Sequence, residues 1–451
     1  MTRLQELLDE TAASIGVPGA AVAVVQDGES HVLTTGITSV DAPVSVDEST
    51  LFMIGSTTKT VTATAVLSLA EKGVVDLDEP LVKVMPDLRL RDTRARERLT
   101  LRHLLTHGGG FEGDVADTDD WGAEAIARSV DGFDELAQHA PPGSAFSYSN
   151  SGFRLMGRVI ELLTGDPYEI AAQKLVLDPL GMTESFFLPW QAFSRRHTVG
   201  HTVDNEGRPR VAHTWGLGRS GAAEGGLASS VTDQLKYLQF HLTGASTGTS
   251  PVSPSMRVEM QRHHKVAAPP FDGVGMPWLL VDMFGTTAVT HGGNIAGIQR
   301  SMFTMLPEEG FGVTVLANSG AGGALGTAVT SWCFEHLLGR TANPSHEALM
   351  LSDAELEPFA GTWDSGSWGM TLAPENGSLT ATFFLSNPDR DEERHLPPPM
   401  PLALCAPDEI IHPGAPESLF GRFIRDSDGE VTGLLAQGRA LRRVKRGGET
   451  S

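Results

Sequence analysis

Over Met1 to Glu10, Leu4, Leu7 and Leu8 recur at helical spacing among acidic neighbours, which predicts an amphipathic first helix. The pattern then changes period. Behind Val17-Pro18-Gly19, the run Ala20 to Val25 is continuously apolar; Asp27-Gly28 is a tight-turn signal, and His31 to Thr35, closed by Gly36, reads as the returning strand. From Thr60 to Lys72, Val61, Ala65 and Leu69 interleave with Ala63, Val66 and Ala70 at three- and four-residue spacing, predicting a mostly buried helix.

Helical signals dominate as far as about His241. The segment Gly73 to Pro80 ends one helix and starts a short one, Leu99 to His107 is another, and Phe153 to Leu163 is amphipathic. Ser230 to Asp233 has capping-box spacing ahead of Leu235, Leu238, Phe240 and Leu242. Strand patterns return at Trp278–Met283, Ala288–Thr290, Ser301–Leu306 and Gly312–Ala317, followed by a helix over Ala324–Leu338. A sheet built from both ends of residues 1–345, with a helical insert at about 60–275, accounts for this order. Beyond Asn343-Pro344, residues 354–446 hold short strands separated by Asn376-Gly377 and Asp428-Gly429, as in a small all-β barrel or sandwich.

The length of 451 residues favours two domains. A formal charge of -22 argues against nucleic-acid or anionic-membrane partners. Two cysteines, Cys333 and Cys405, make no disulfide framework. No leader pattern and no run of transmembrane length is present, so the expected location is cytoplasmic.

Three short stretches carry chemistry. In Phe52 to Lys59, Ser56 and Lys59 lie three apart at a helix start, so both fall on one face. A serine hydroxyl needs a neighbouring base, and a desolvated lysine can serve as one. In Pro142 to Gly152, Tyr148 and Asn150 stand two apart, so an extended turn would aim both side chains into one cavity. A phenol beside an ammonium would have its anion stabilised, so that Tyr148 and Lys59 share proton transfer, with Asn150 holding Lys59 or a substrate amide. In Thr290 to Asn294, Gly292 and Gly293 would let substrate lie against a strand edge, with His291 an orienting or acidic group. A backbone N–H there, with that of Ser56, would make an oxyanion hole.

Three other features are weaker. His103 and His107 have metal-ligand spacing but no third ligand, so no metal is expected. Gly244-Ala245-Ser246-Thr247-Gly248 matches a nucleophile elbow but lies in a low-complexity loop. Arg442, Arg443 and Arg446 read as a solvated basic tail, with binding of a substrate carboxylate as the alternative.

The order Ser-x-x-Lys, Tyr-x-Asn, His-x-Gly resembles the serine β-lactamase and penicillin-binding-protein superfamily, nearest its class C and DD-peptidase-like branch. Leu104 to His107, Gly225 to Ser230 and Gly312 to Asn318 are similar to that branch too, and the likeness runs over residues 5–340. The region opening Phe359-Ala360-Gly361-Thr362-Trp363 resembles the lipocalin-like barrel some members append.

The resemblance implies an α/β fold, an antiparallel sheet flanked by helices plus a helical subdomain, and an acyl-enzyme mechanism without cofactor. Ser56 would be acylated, Lys59 and Tyr148 would act as base and acid, Asn150 would position Lys59, and Ser56 and Asn294 would supply the oxyanion N–H groups.

Three departures qualify the likeness. His291 stands where class C β-lactamases carry lysine, which argues against efficient β-lactam hydrolysis; Gly108-Gly109 replaces the usual Thr-Ser; and the missing export signal argues against a cell-wall substrate. The expected activity is therefore hydrolysis of a peptide, amide or ester, the substrate being a small molecule or peptide, free or carrier-bound. The alternatives are acyl transfer or peptide cyclisation, as in penicillin-binding-protein-type thioesterases, and a non-catalytic binding protein on the same scaffold.

Overall fold

The computed structural model describes all of the 451 residues except 116–119, 205, 387–397 and 445–451. Its first helix, α1 (Thr2–Ser14), precedes the expected hairpin of β1 (Gly19–Gln26) and β2 (Glu29–Gly36). A small sheet of β3 (Leu51–Met53), β4 (Ser185–Phe186) and β7 (Ala228–Ser230) lies inside the helical region. There β5 (His201–Val203) pairs with β6 (Pro209–Val211). The later strands are β8 (Lys265–Val266), β9 (Gly273–Val274), β10 (Leu279–Met283), β11 (Thr286–Ile295), β12 (Gln299–Leu306) and β13 (Phe311–Ala317).

The main sheet has the order β2-β1-β13-β12-β11-β10-β9-β8. Every pairing in it is antiparallel, and β1 meets β13 with Ala20 opposite Ala317. Strands from the two ends of residues 1–345 thus lie side by side in one sheet, as the strand pattern predicts.

Both faces of β1 are covered, which is why its sequence is continuously apolar rather than alternating. Ala20, Val22 and Val24 face Leu4 and Leu8 of α1 and Leu325, Val329 and Cys333 of the helix Gly322–His336. Ala21, Ala23 and Val25 face the opposite core, with Tyr237 and Leu238 of the helix Val231–Thr243.

Three elements depart from the expected bounds. The helix expected over Leu99–His107 is only Leu101–Leu105, because His107 turns into a left-handed backbone conformation with φ +52. The strand expected over Ala288–Thr290 runs on to Ile295 and takes in His291 to Asn294, paired with β12 as far as Ile295 opposite Gln299. The short helix expected near Gly73–Pro80 is a 3-10 turn at Leu81–Lys83.

Eight further strands close into a barrel: β14 (Gly361–Asp364), β15 (Trp368–Glu375), β16 (Ser378–Leu385), β17 (Met400–Ala406), β18 (Glu409–Ile411), β19 (Leu419–Arg425), β20 (Val431–Ala436) and β21 (Arg439–Val444). Closure is through β14 and β21, with Thr362 opposite Val444. Trp363, Met370, Leu379, Leu402, Phe423 and Leu434 fill it. A closed barrel leaves no unpaired sheet edge. Among the described residues no helix is long and apolar enough to cross a membrane.

Candidate active site

Ser56 and Lys59 belong to successive elements rather than one helix. Gly55–Thr57 is a 3-10 turn, and α2 (Thr58–Glu71) starts after it. Gly55 has φ +53, and a Cβ there would lie 2.7 Å from the Asn294 backbone nitrogen. Glycine therefore allows the turn to rest directly on β11. The three-residue spacing still brings Lys59 Nζ to 3.0 Å from Ser56 Oγ.

Nζ donates to the Glu224 carbonyl at 2.6 Å. It lies 5.1 Å from the ring centroid of Tyr148 and 5.6 Å from that of Phe153. The lysine is 0% exposed. Desolvation outweighs the pull of Glu224 and Asp114 towards the charged form; with repulsion from Arg439 and Arg154, it brings the ammonium pKa down to about 7. The neutral amine so produced has a lone pair available to the Ser56 proton.

The Glu224 carboxylate is itself buried and held by Arg154, whose Nη2 and Nε donate to Oε1 at 2.8 Å and Oε2 at 3.1 Å. Replacing Arg154 by methionine leaves that carboxylate uncompensated, and removing one partner of such a pair costs roughly 3–5 kcal/mol. The urea midpoint is expected to fall, and the Lys59 pKa to move above about 7, because a cation that disfavours charged Lys59 is gone. An unchanged urea midpoint would contradict this account of the pair.

Tyr148 is half-buried and hydrogen-bonded to the Ser56 side chain. Burial raises its pKa well above the ordinary phenol range, so the expected stabilisation of a phenolate by an adjacent ammonium is reversed. Lys59 loses its charge as the pH rises through about 7, and Tyr148 stays a phenol, able to donate a proton.

Asn150 also differs from the sequence expectation. Ser149 caps the helix Asn150–Thr164 by accepting from the Gly152 N–H at 2.9 Å, so the chain at Asn150 is already helical rather than an extended turn. Its amide donates to Asp114 Oδ1 at 2.5 Å, and the contact that holds Lys59 is the Glu224 carbonyl instead.

His291 is buried on β11, its ring centroid 6.1 Å from that of Tyr148. Its Nδ1 lies 2.9 Å from the Gly292 carbonyl. A carbonyl only accepts, so the ring proton sits on Nδ1 and the buried, unpartnered Nε2 is a lone pair. Burial, reinforced by Lys59, lowers its pKa to about 3. The ring is therefore neutral rather than a charged acid.

The edge of β11 beside Ser56 is open. β10 pairs with β11 only between Thr286 and Thr290, so residues 291–295 run beyond it. Gly292 and Asn294 are exposed along this stretch, while His291 and Gly293 face inward. A Cβ on Gly293 would come 1.8 Å from the Ile54 carbonyl. Ser301 ties the strands to the turn, donating to the Ile54 carbonyl at 2.6 Å and lying 2.8 Å from Thr57 Oγ1. The Asn294 backbone is thereby packed on Gly55, next to Ser56.

One wall of the site comes from the barrel. Gln437 and Gly438, both at positive φ, make the two-residue turn between β20 and β21. The Gly438 carbonyl accepts from the Tyr148 N–H at 2.9 Å, and the Gly438 N–H donates to the Pro269 carbonyl at 2.9 Å. Arg439 then lies over the Tyr148 ring, 4.9 Å from its centroid, and donates through Nη2 to Asp114 at 2.9 and 3.1 Å. Neither Arg439 nor Asp114 stands out in the sequence; the glycine turn between two short strands is the one signal near Arg439. Of the tail arginines, Arg443 lies over Trp363 and bonds the Ala360 carbonyl, and Arg446 is outside the described residues.

Comparison with known proteins agrees with this architecture. The family model described as Beta-lactamase matches residues 4–329. The chain belongs to this family. Penicillin-binding protein 4 of Amycolatopsis lactamdurans is 29% identical over 372 residues, covering 80% of this chain and 96% of that relative. The solved structure of SurE with D-Leu is 27% identical and covers 98% of this chain and 99% of its own, with a TM-score of 0.74. The octameric penicillin-binding protein homologue from Pyrococcus abyssi is 26% identical and covers 98% and 99%, with a TM-score of 0.65. As a member of the beta-lactamase family, the chain falls in a serine hydrolase superfamily.

Proposed function

We propose that the chain acts through an acyl-serine on a peptide, amide or ester. The observation that carries this reading is the desolvated Lys59 amine, 3.0 Å from Ser56 Oγ, with a pKa of about 7. In the proposed cycle Ser56 Oγ attacks the substrate carbonyl carbon and its proton passes to Lys59 Nζ. The Ser56 and Asn294 N–H groups hold the developing oxyanion. The Tyr148 phenol protonates the leaving group and recovers its proton from the Lys59 ammonium. Water or an amine then attacks the acyl carbon, and Ser56 leaves with its proton restored. Neutral His291 offers no fixed cation where β-lactamases carry lysine, which supports poor turnover of β-lactams.

A second reading, transfer of the acyl group to an amine, is favoured by the likeness to SurE, which extends through the barrel and whose structure holds D-Leu, an amino acid. The test is product analysis by mass spectrometry. A peptidyl thioester is supplied with and without D-leucine methyl ester. Free acid in both samples supports hydrolysis, amide formed at the expense of acid supports transfer, and no turnover together with no Ser56 adduct defeats both.

A further inference from the structure

We propose that His107, left out of the cycle above, is a positioning residue that holds the Tyr148 phenol at Ser56. The inference rests on the acyl-serine reading. His107 brackets the three residues that carry the phenol: its carbonyl accepts from the Ser147 N–H at 3.0 Å, and its ring Nδ1 accepts from the Ser149 N–H at 3.0 Å. Both bonds come from one residue because the backbone turns left-handed there, with φ +52.

Between these anchors the ring stacks on Tyr148, with centroids 4.4 Å apart and planes 24° apart. Phe153 and Phe146 pack against the imidazole at 5.2 and 5.7 Å. A backbone N–H only donates, so Nδ1 carries no proton and the neutral ring has its proton on Nε2.

The groups facing the ring from other elements are Lys59 on α2, His291 on β11 and Arg439 on β21, and burial together with these holds its pKa well below the ordinary histidine value. Nδ1 therefore remains an acceptor at neutral pH. Histidine combines two properties here. Phenylalanine would keep the stack but orphan the buried Ser149 N–H. Asparagine would tolerate the left-handed backbone and offer an acceptor, but has no ring to stack.

The experiment measures phosphonylation of Ser56 by a fluorophosphonate in the full chain. His107→Phe and His107→Asn are each expected to lower the maximal labelling rate by ~10-fold or more, the scale of a misplaced acid–base group, with little change in half-saturating reagent. Thermal unfolding of both variants checks that the fold is kept.

The deciding arm is the Tyr148→Phe background, where the same substitutions are expected to add no further loss. Equal losses with and without the phenol, or wild-type labelling in both variants, would overturn the inference. Absence of any Ser56 adduct on the unsubstituted chain would instead sink the acyl-serine reading, and this inference with it.

Discussion

Replacing Ser56 by alanine is expected to abolish the covalent adduct with a fluorophosphonate and to remove turnover. Intact-mass spectrometry of the unsubstituted chain should show one added phosphonyl group, and the variant none. The expectation follows from the placement of the hydroxyl. It is the side chain within reach of both the Lys59 amine and the Tyr148 phenol, and it stands beside the open edge of β11. Loss of a serine nucleophile from such a unit lowers kcat by roughly 10⁴-fold or more, because the remaining groups have nothing to activate. The fold should tolerate the change, since the hydroxyl fills no core space. An adduct that survives in Ser56→Ala would mean that another serine is the nucleophile.

The second large effect concerns Lys59. Acylation of the unsubstituted chain is expected to rise with pH through a midpoint of about 7, because the neutral amine is the form that accepts the Ser56 proton. Below that midpoint Lys59 is an ammonium and the rate falls. Lys59→Arg should remove this titration and slow acylation by about 10²–10⁴-fold, since a guanidinium does not deprotonate in this range.

The same shift has a consequence for stability. In the unfolded chain Lys59 keeps its proton up to the ordinary 10.5, while the folded chain releases it at about 7. Between those values the unfolded state binds more protons, so this group makes stability rise with pH over that window. A rate independent of pH between 6 and 8, retained in Lys59→Arg, would exclude Lys59 as the base.

The sequence was most informative where function depends on neighbours along the chain. Ser56 and Lys59 are three residues apart, and local backbone geometry alone brings them within 3.0 Å. The apolar runs of β1 and β13 likewise revealed a sheet assembled from both ends, because burial on both faces removes the alternation of a half-exposed strand.

What was not legible depends on contacts between distant segments. The atom that orients Lys59 is the backbone carbonyl of Glu224, and a carbonyl leaves no mark on residue type. The extended turn expected at Asn150 is instead a helix start, because Ser149 caps it, and the amide meets Asp114. The desolvated lysine was anticipated, but the phenolate expected of Tyr148 was not met, because spacing does not report the phenol's own burial. Arg439 was missed because it enters the site from a different sheet, where nothing in the local pattern separates it from the solvated arginines nearby.

The turn at Gln437-Gly438 limits how this chain can be recombined. The Gly438 carbonyl satisfies the Tyr148 N–H, and Arg439 covers the phenol ring, so the seam between the barrel and the rest of the protein passes through the proposed reaction centre. A barrel taken from a relative would arrive with its own version of that wall, and a chimera joined in the linker would be a change of active site as much as a change of appendage. Substitutions in the few residues around Gly438 would thus reshape that wall while Ser56, Lys59 and the sheet that carries them stay as they are.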